Sequence, residues 1–87
     1  IQAMVDGAEV VGLAPDAALA LTVQTVTGAA EMVARKMGTP DELRTAVTSP
    51  GGTTAAGLAV LEDAEFREIM ARVIRAATER SAELGQG

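Results

Sequence analysis

Apolar positions recur at helical spacing along most of the chain, and no two-residue alternation of the strand type holds over a useful length. Ile1, Val5 and Ala8 set the first run, residues 1–11, and Gly12 supplies a left-handed stop. Ala14, Pro15 and Asp16 restart the chain, with Pro15 suited to the first helical position because the amide it lacks would have no partner there. The second helix is predicted to run to about Met37 and to stop at Gly38. Its middle, residues 19–32, has no clear polar face, and a helix apolar all round is buried all round. Gly28, Ala29 and Ala30 let another backbone come close, as at a crossing of packed helices.

Thr39, Pro40, Asp41 and Glu42 read as a reciprocal capping box: the Thr39 hydroxyl takes the Glu42 amide and the Glu42 carboxylate takes the Thr39 amide. A short third helix follows to about Val47 and is broken by Thr48, Ser49, Pro50, Gly51 and Gly52. A fourth begins near Thr53 or Thr54 and runs to about Leu61 or Glu62. Asp63 is expected to cap a last helix with Phe66, Ile69, Met70, Val73, Ala77 and Leu84 on one face and Arg67, Glu68, Arg75, Glu79 and Arg80 on the other. The fold class is all-α: a small interlocking bundle of about five helices in one domain, residues 1–87.

Composition narrows the chemistry. Among 87 residues, 48% are hydrophobic, and there is no His, Cys, Trp or Tyr. That excludes the usual zinc sites, thiolate nucleophiles, disulfides and imidazole-based triads, so no metal centre is expected. One small domain hides only roughly 60 to 65% of its unfolded surface, so this much aliphatic sequence predicts an oligomer. The formal net charge of −5, with seven scattered basic residues, argues against nucleic acid and against an anionic lipid surface. The uncharged stretch 17–30 is read as too short to span a bilayer. No basic stretch precedes an apolar one at the N-terminus, so no signal peptide is expected there. The absence of an initiator Met, with helical periodicity already running at Ile1, predicts a piece of a longer chain, and with neither span nor signal peptide read, a cytoplasmic location is the default expectation.

Chemistry concentrates in Thr48, Ser49, Pro50, Gly51, Gly52, Thr53 and Thr54. Adjacent glycines open backbone angles closed to other residues, and the helix that follows leaves its first amides pointing back at the loop. Free amides of Gly52 and Thr53, the positive helix end and the hydroxyls of Ser49, Thr53 and Thr54 together suit a carboxylate or phosphate. The same residues also make an ordinary helix connection with a Thr cap. The Lys and spacing of a nucleotide P-loop are missing. Elsewhere the residues read as structural: Asp6 as a local polar contact, Lys36 as a cation in the last turn of the second helix, and Met4, Met32, Met37 and Met70 as packing residues. The pairs Asp41/Glu42 and Glu62/Asp63 read as caps or solvated charge.

The run Ala46-Val47-Thr48-Ser49-Pro50-Gly51-Gly52-Thr53-Thr54, followed by an Ala/Leu-rich helix, closely resembles the signature of the pyrroline-5-carboxylate reductases. Ala3-Met4-Val5-Asp6-Gly7-Ala8 before Gly12-Leu13, then Gln24-Thr25-Val26, Gly28-Ala29-Ala30, Pro40 with Leu43-Arg44, and Leu61-Glu62 before Phe66-Arg67 fall in that family's order, so the resemblance covers essentially the whole chain. It implies a reductase passing a hydride from NADPH or NADH to the C=N carbon of 1-pyrroline-5-carboxylate, giving L-proline. It also implies that this chain is only the helical C-terminal dimerisation domain, inactive alone, in a homodimer or a larger ring of dimers. The cofactor then belongs to an absent N-terminal domain, since no strand followed by GxGxxG occurs here. The resemblance implies a substrate-binding loop of Ser49, Gly51, Gly52, Thr53 and Thr54, in which by position Ser49 and the amides of Gly52 and Thr53 hold the substrate carboxylate and the Thr54 hydroxyl contacts the ring nitrogen. Many relatives carry an acidic or amide residue before the position of Val47, where this chain has Thr45 and Ala46. Two other readings stand beside this one: a non-enzymatic helical assembly module without a cofactor domain, and the helical domain of another two-domain dehydrogenase.

Overall fold

The structure is a computed structural model that describes residues 1–86. Five helices follow one another: α1 Gln2–Val10, α2 Pro15–Ala34, α3 Pro40–Ala46, α4 Thr53–Asp63 and α5 Phe66–Gln86, with no strand among the described residues. They divide into two compact units, residues 1–45 and residues 46 onward.

In the first unit α1 packs against α2. The residues removed from water are Val5 on α1 and Ala18 and Thr22, one turn apart, on α2. Gly12 ends α1 at φ +110°, and the paired bonds Gly12 N to Glu9 O (3.0 Å) and Leu13 N to Ala8 O (3.0 Å) satisfy the last carbonyls, as its place in the sequence predicts. Pro15 opens α2 as expected. The polar Thr25 is accommodated on its apolar helix because its hydroxyl donates to the Leu21 carbonyl (2.8 Å).

The end of α2 differs from the sequence expectation. The helix stops at Ala34, with Arg35 as its cap, and Lys36 takes the left-handed position at φ +58°. Lys36 N donates to Val33 O (3.0 Å) and Met37 N to Met32 O (3.1 Å), which closes the helix three residues before Met37. Lys36 therefore lies beyond the last turn, and the cation of the helix end is Arg35, whose Nε pairs with Glu31 Oε1 (2.7 Å). Gly38 serves packing instead: a Cβ there would sit 3.2 Å from Leu43 Cδ2. At twenty residues α2 is also long and apolar enough, by length and composition, to cross a membrane, so length does not exclude a span as the shorter uncharged stretch suggested.

The capping box forms as read from the sequence. Glu42 N donates to Thr39 Oγ1 (3.1 Å) and Thr39 N to Glu42 Oε1 (3.2 Å), which starts α3.

In the second unit α4 meets α5. Asp63 does not cap α5, because it is the last residue of α4. The chain reverses through Ala64 and Glu65, the latter at φ +55°, and the Glu65 carbonyl accepts the first α5 bond from Ile69 N (3.0 Å).

Burial is slight. The accessible surface is 7073 Å². Two separate compact bodies of half the mass would expose about 5,800 Å². Large apolar side chains on α2, α4 and α5 remain in water.

Candidate functional site

The connection from α3 to α4 is built by its residue types. Pro50 fixes the second corner of a four-residue turn, Gly51 takes φ +73° at the third, and Gly52 N donates to Ser49 O (2.9 Å) across it. A Pro followed by a left-handed Gly with this bond is a type II turn. Gly52 then extends at φ −84°, ψ −179° as the residue preceding α4. Those angles suit any residue, but a Cβ on Gly52 would lie 3.2 Å from the Ser49 oxygen and 3.4 Å from the Ser49 Cβ. The two glycines thus serve different needs: Gly51 the backbone angle, Gly52 the close return of the chain onto Ser49.

This geometry corrects one element of the expected anion cradle. The Gly52 amide is not free, because the turn consumes it. The first intrahelical bond of α4 runs from Ala56 N to Gly52 O (3.1 Å), so the amides ahead of it belong to Thr53, Thr54 and Ala55. Ala55 escaped the sequence reading because its side chain carries no polar signal. Only its place, three residues past the extended Gly52, marks its amide as one of the helix-start donors. Gly52 carries no side chain to cap these groups. Ser49 and Thr53 are exposed, and Thr54 is half-buried. Ser49, Gly51, Gly52, Thr53 and Thr54 therefore form one contiguous turn and helix start. The turn brings the Ser49 carbonyl and the Gly52 amide together.

Of the residues read as structural, Asp6 and the acidic pair of α3 behave so, whereas Met4, Met37 and Met70, read as packing residues, are exposed. Asp6 is exposed and accepts from Gln2 Nε2 (2.8 Å) on its own helix. Asp41 pairs with Arg44 (3.3 Å), and Glu42 is consumed by the α3 cap. No group of His, Cys, Asp or Glu among the described residues could hold a metal ion.

Comparison with known proteins decides the family. The sequence model described as pyrroline-5-carboxylate reductase dimerisation matches residues 1–84. The chain belongs to this family. Pyrroline-5-carboxylate reductase of Synechocystis sp. is 45% identical over 86 residues, 99% of this chain and 32% of that protein. The Arabidopsis thaliana reductase is 46% identical over 86 residues, 99% of this chain and 31% of that protein. The crystal structure of Plasmodium falciparum pyrroline carboxylate reductase with NADP bound superposes with a TM-score of 0.87 at 32% identity, over 92% of this chain and 30% of that one. The chain thus spans under a third of the length of these pyrroline-5-carboxylate reductases and matches a dimerisation region within it.

Proposed function

We propose that these residues are the dimerisation and substrate-holding part of an NAD(P)H-dependent reductase that converts 1-pyrroline-5-carboxylate to L-proline. The observation that carries the reading is the Ser-Pro-Gly-Gly-Thr-Thr segment, folded as a type II turn that delivers directly into a helix start, within a chain matched to the reductase family from residue 1 to residue 84. The amides of Thr53 and Thr54 and the Ser49 hydroxyl receive the substrate carboxylate, where the positive helix end favours an anion. The Thr54 hydroxyl orients the ring nitrogen. Gly51 and Gly52 act through shape, since the amide of Gly52 is spent within the turn.

The chemistry is catalysis by positioning. A carboxylate held at one end of a flat ring fixes which face of the C=N carbon is presented, and the nicotinamide supplies the hydride from its site elsewhere in the protein. An unperturbed threonine hydroxyl is a poor acid at neutral pH, so Thr54 orients the nitrogen, and the proton it gains comes from water. The protein works as a homodimer in the cytoplasm, with neither nucleic acid nor membrane as a partner, and the 87 residues alone turn nothing over.

The test is made in the complete reductase. Ser49→Ala and Thr54→Ala are expected to raise KM for pyrroline-5-carboxylate about tenfold or more, as loss of a charge-assisted hydrogen bond does, with the dissociation constant for NADPH unchanged. Parallel loss of both affinities would show that the turn supports the fold and does not touch substrate.

A further inference from the structure

The backbone angles of Gly52 do not explain why it is glycine. At φ −84° and ψ −179° it is extended, a conformation open to any residue, and its amide is already held by the Ser49 carbonyl at 2.9 Å. The explanation lies in what a Cβ would meet. Its three nearest atoms would all belong to Ser49: the carbonyl oxygen at 3.2 Å, the side-chain Cβ at 3.4 Å and the carbonyl carbon at 3.8 Å. The first two are tighter than ordinary side-chain contact, so an added methyl must move Ser49 by a few tenths of an ångström. Gly57, farther along α4, makes the contrast, since a Cβ there meets nothing within 4 Å beyond its own helix backbone.

Resting on the substrate-holding reading above, we infer that Gly52 is a positioning residue that acts through Ser49: its missing Cβ lets the Ser49 hydroxyl and the α4 amides reach one carboxylate. The two sets of donors stand on either side of the turn. The amides of Thr53 and Thr54 belong to α4, and helix geometry fixes their spacing whatever residue precedes them. The Ser49 hydroxyl is not part of that helix. Its distance from the amides is set by how closely the chain returns at Gly52. A hydroxyl-to-oxygen hydrogen bond holds over a range of only about 2.5 to 3.0 Å, so a few tenths of an ångström decide whether the serine reaches the ligand. Gly52 itself touches no substrate. Its part also differs from that of Gly51, whose φ of +73° the turn requires in order to form.

A double-mutant cycle in the complete reductase separates this role from support of the fold. Ser49→Ala, Gly52→Ala and the double variant are compared by KM for pyrroline-5-carboxylate, by the dissociation constant for NADPH and by helical circular dichroism. Gly52→Ala is expected to raise KM about tenfold, the same order as Ser49→Ala, with NADPH affinity and helical signal at parent values. The double variant is expected to show no more than the larger single effect, because a hydroxyl already removed cannot be misplaced. The inference is overturned if Gly52→Ala keeps the parent KM while Ser49→Ala raises it, or if the two rises multiply to about a hundredfold. It is overturned equally if Gly52→Ala loses NADPH affinity or helical signal, which would assign the glycine to the fold. A Ser49→Ala variant with the parent KM removes the substrate-holding reading, and this inference with it.

Discussion

Lys36 and Glu65 occupy the left-handed positions that close α2 and α4, at φ +58° and +55°, where glycine would sit without a Cβ conflict. A side chain there costs about 1 to 2 kcal/mol, partly offset by the greater freedom glycine has when unfolded. Lys36→Gly is therefore expected to stabilise the fold by about 0.5 to 1 kcal/mol, read as a higher urea midpoint with an unchanged slope. A lower midpoint would mean that the lysine stem covers apolar surface worth more than the backbone relief. The same logic runs in reverse at Gly51, at φ +73°. Gly51→Ala should strain the turn by about 1 to 2 kcal/mol and weaken substrate use about five- to thirtyfold in the complete enzyme. Equal KM values for Gly51→Ala and the parent would remove the turn from the site. These positions also mark where reading residue types reaches its limit. Gly51 was legible because adjacent glycines open backbone angles closed to other residues, whereas Lys36 was not, since a lysine gives no sign that it will take a glycine angle. Gly38, the glycine that looked like the stop, is kept small by Leu43.

At the scale of elements, the starts of helices were more legible than their ends. Pro15 and the Thr39/Glu42 box are local chemistry, complete within four residues, and both open their helices as expected. Asp63 misled because an acidic residue before an apolar run has the form of a cap, but α4 continues through it and the reversal is made by Ala64 and Glu65. The helix-start donors at α4 were half legible: Thr53 and Thr54 could be named, but the loss of the Gly52 amide to Ser49 depends on a turn bond that composition does not announce. The α3 box offers a direct measurement. A seven-residue helix is too short to persist by propensity, so its caps matter disproportionately. Thr39→Ala is expected to cost about 1 kcal/mol by denaturant unfolding, and adding Glu42→Ala should cost less than the two single losses combined, because each change already breaks the reciprocal pair. Strict additivity would show that the two bonds act independently.

The molecule as a whole has too little interior for one copy to stand alone. Among the described residues, those wholly or nearly buried are Val5, Ala18 and Thr22, and none of them is large, while Leu, Ile, Val, Met and Phe side chains on four helices face water. Apolar area removed from water contributes about 25 cal/mol per Å², and conformational ordering costs about 1 to 2 kcal/mol per residue, so folding needs surface that a second copy supplies. The need for an assembly was legible in the uniformly apolar α2. If folding and association are one event, stability must depend on concentration. The 87-residue chain, followed by circular dichroism at 222 nm, a wavelength at which helices absorb, is expected to gain about 1.4 kcal/mol for each tenfold rise in concentration. For two copies melting together that raises the midpoint by about 3 to 5 °C per decade. Because each copy carries a net charge of −5, the midpoint should also rise from low to physiological salt, as the Debye length falls from about 30 to 8 Å and repulsion between copies is screened. A helical signal whose midpoint stays fixed over two decades of concentration would show that one copy folds by itself, and the exposed apolar side chains of α2 and α5 would then need another explanation.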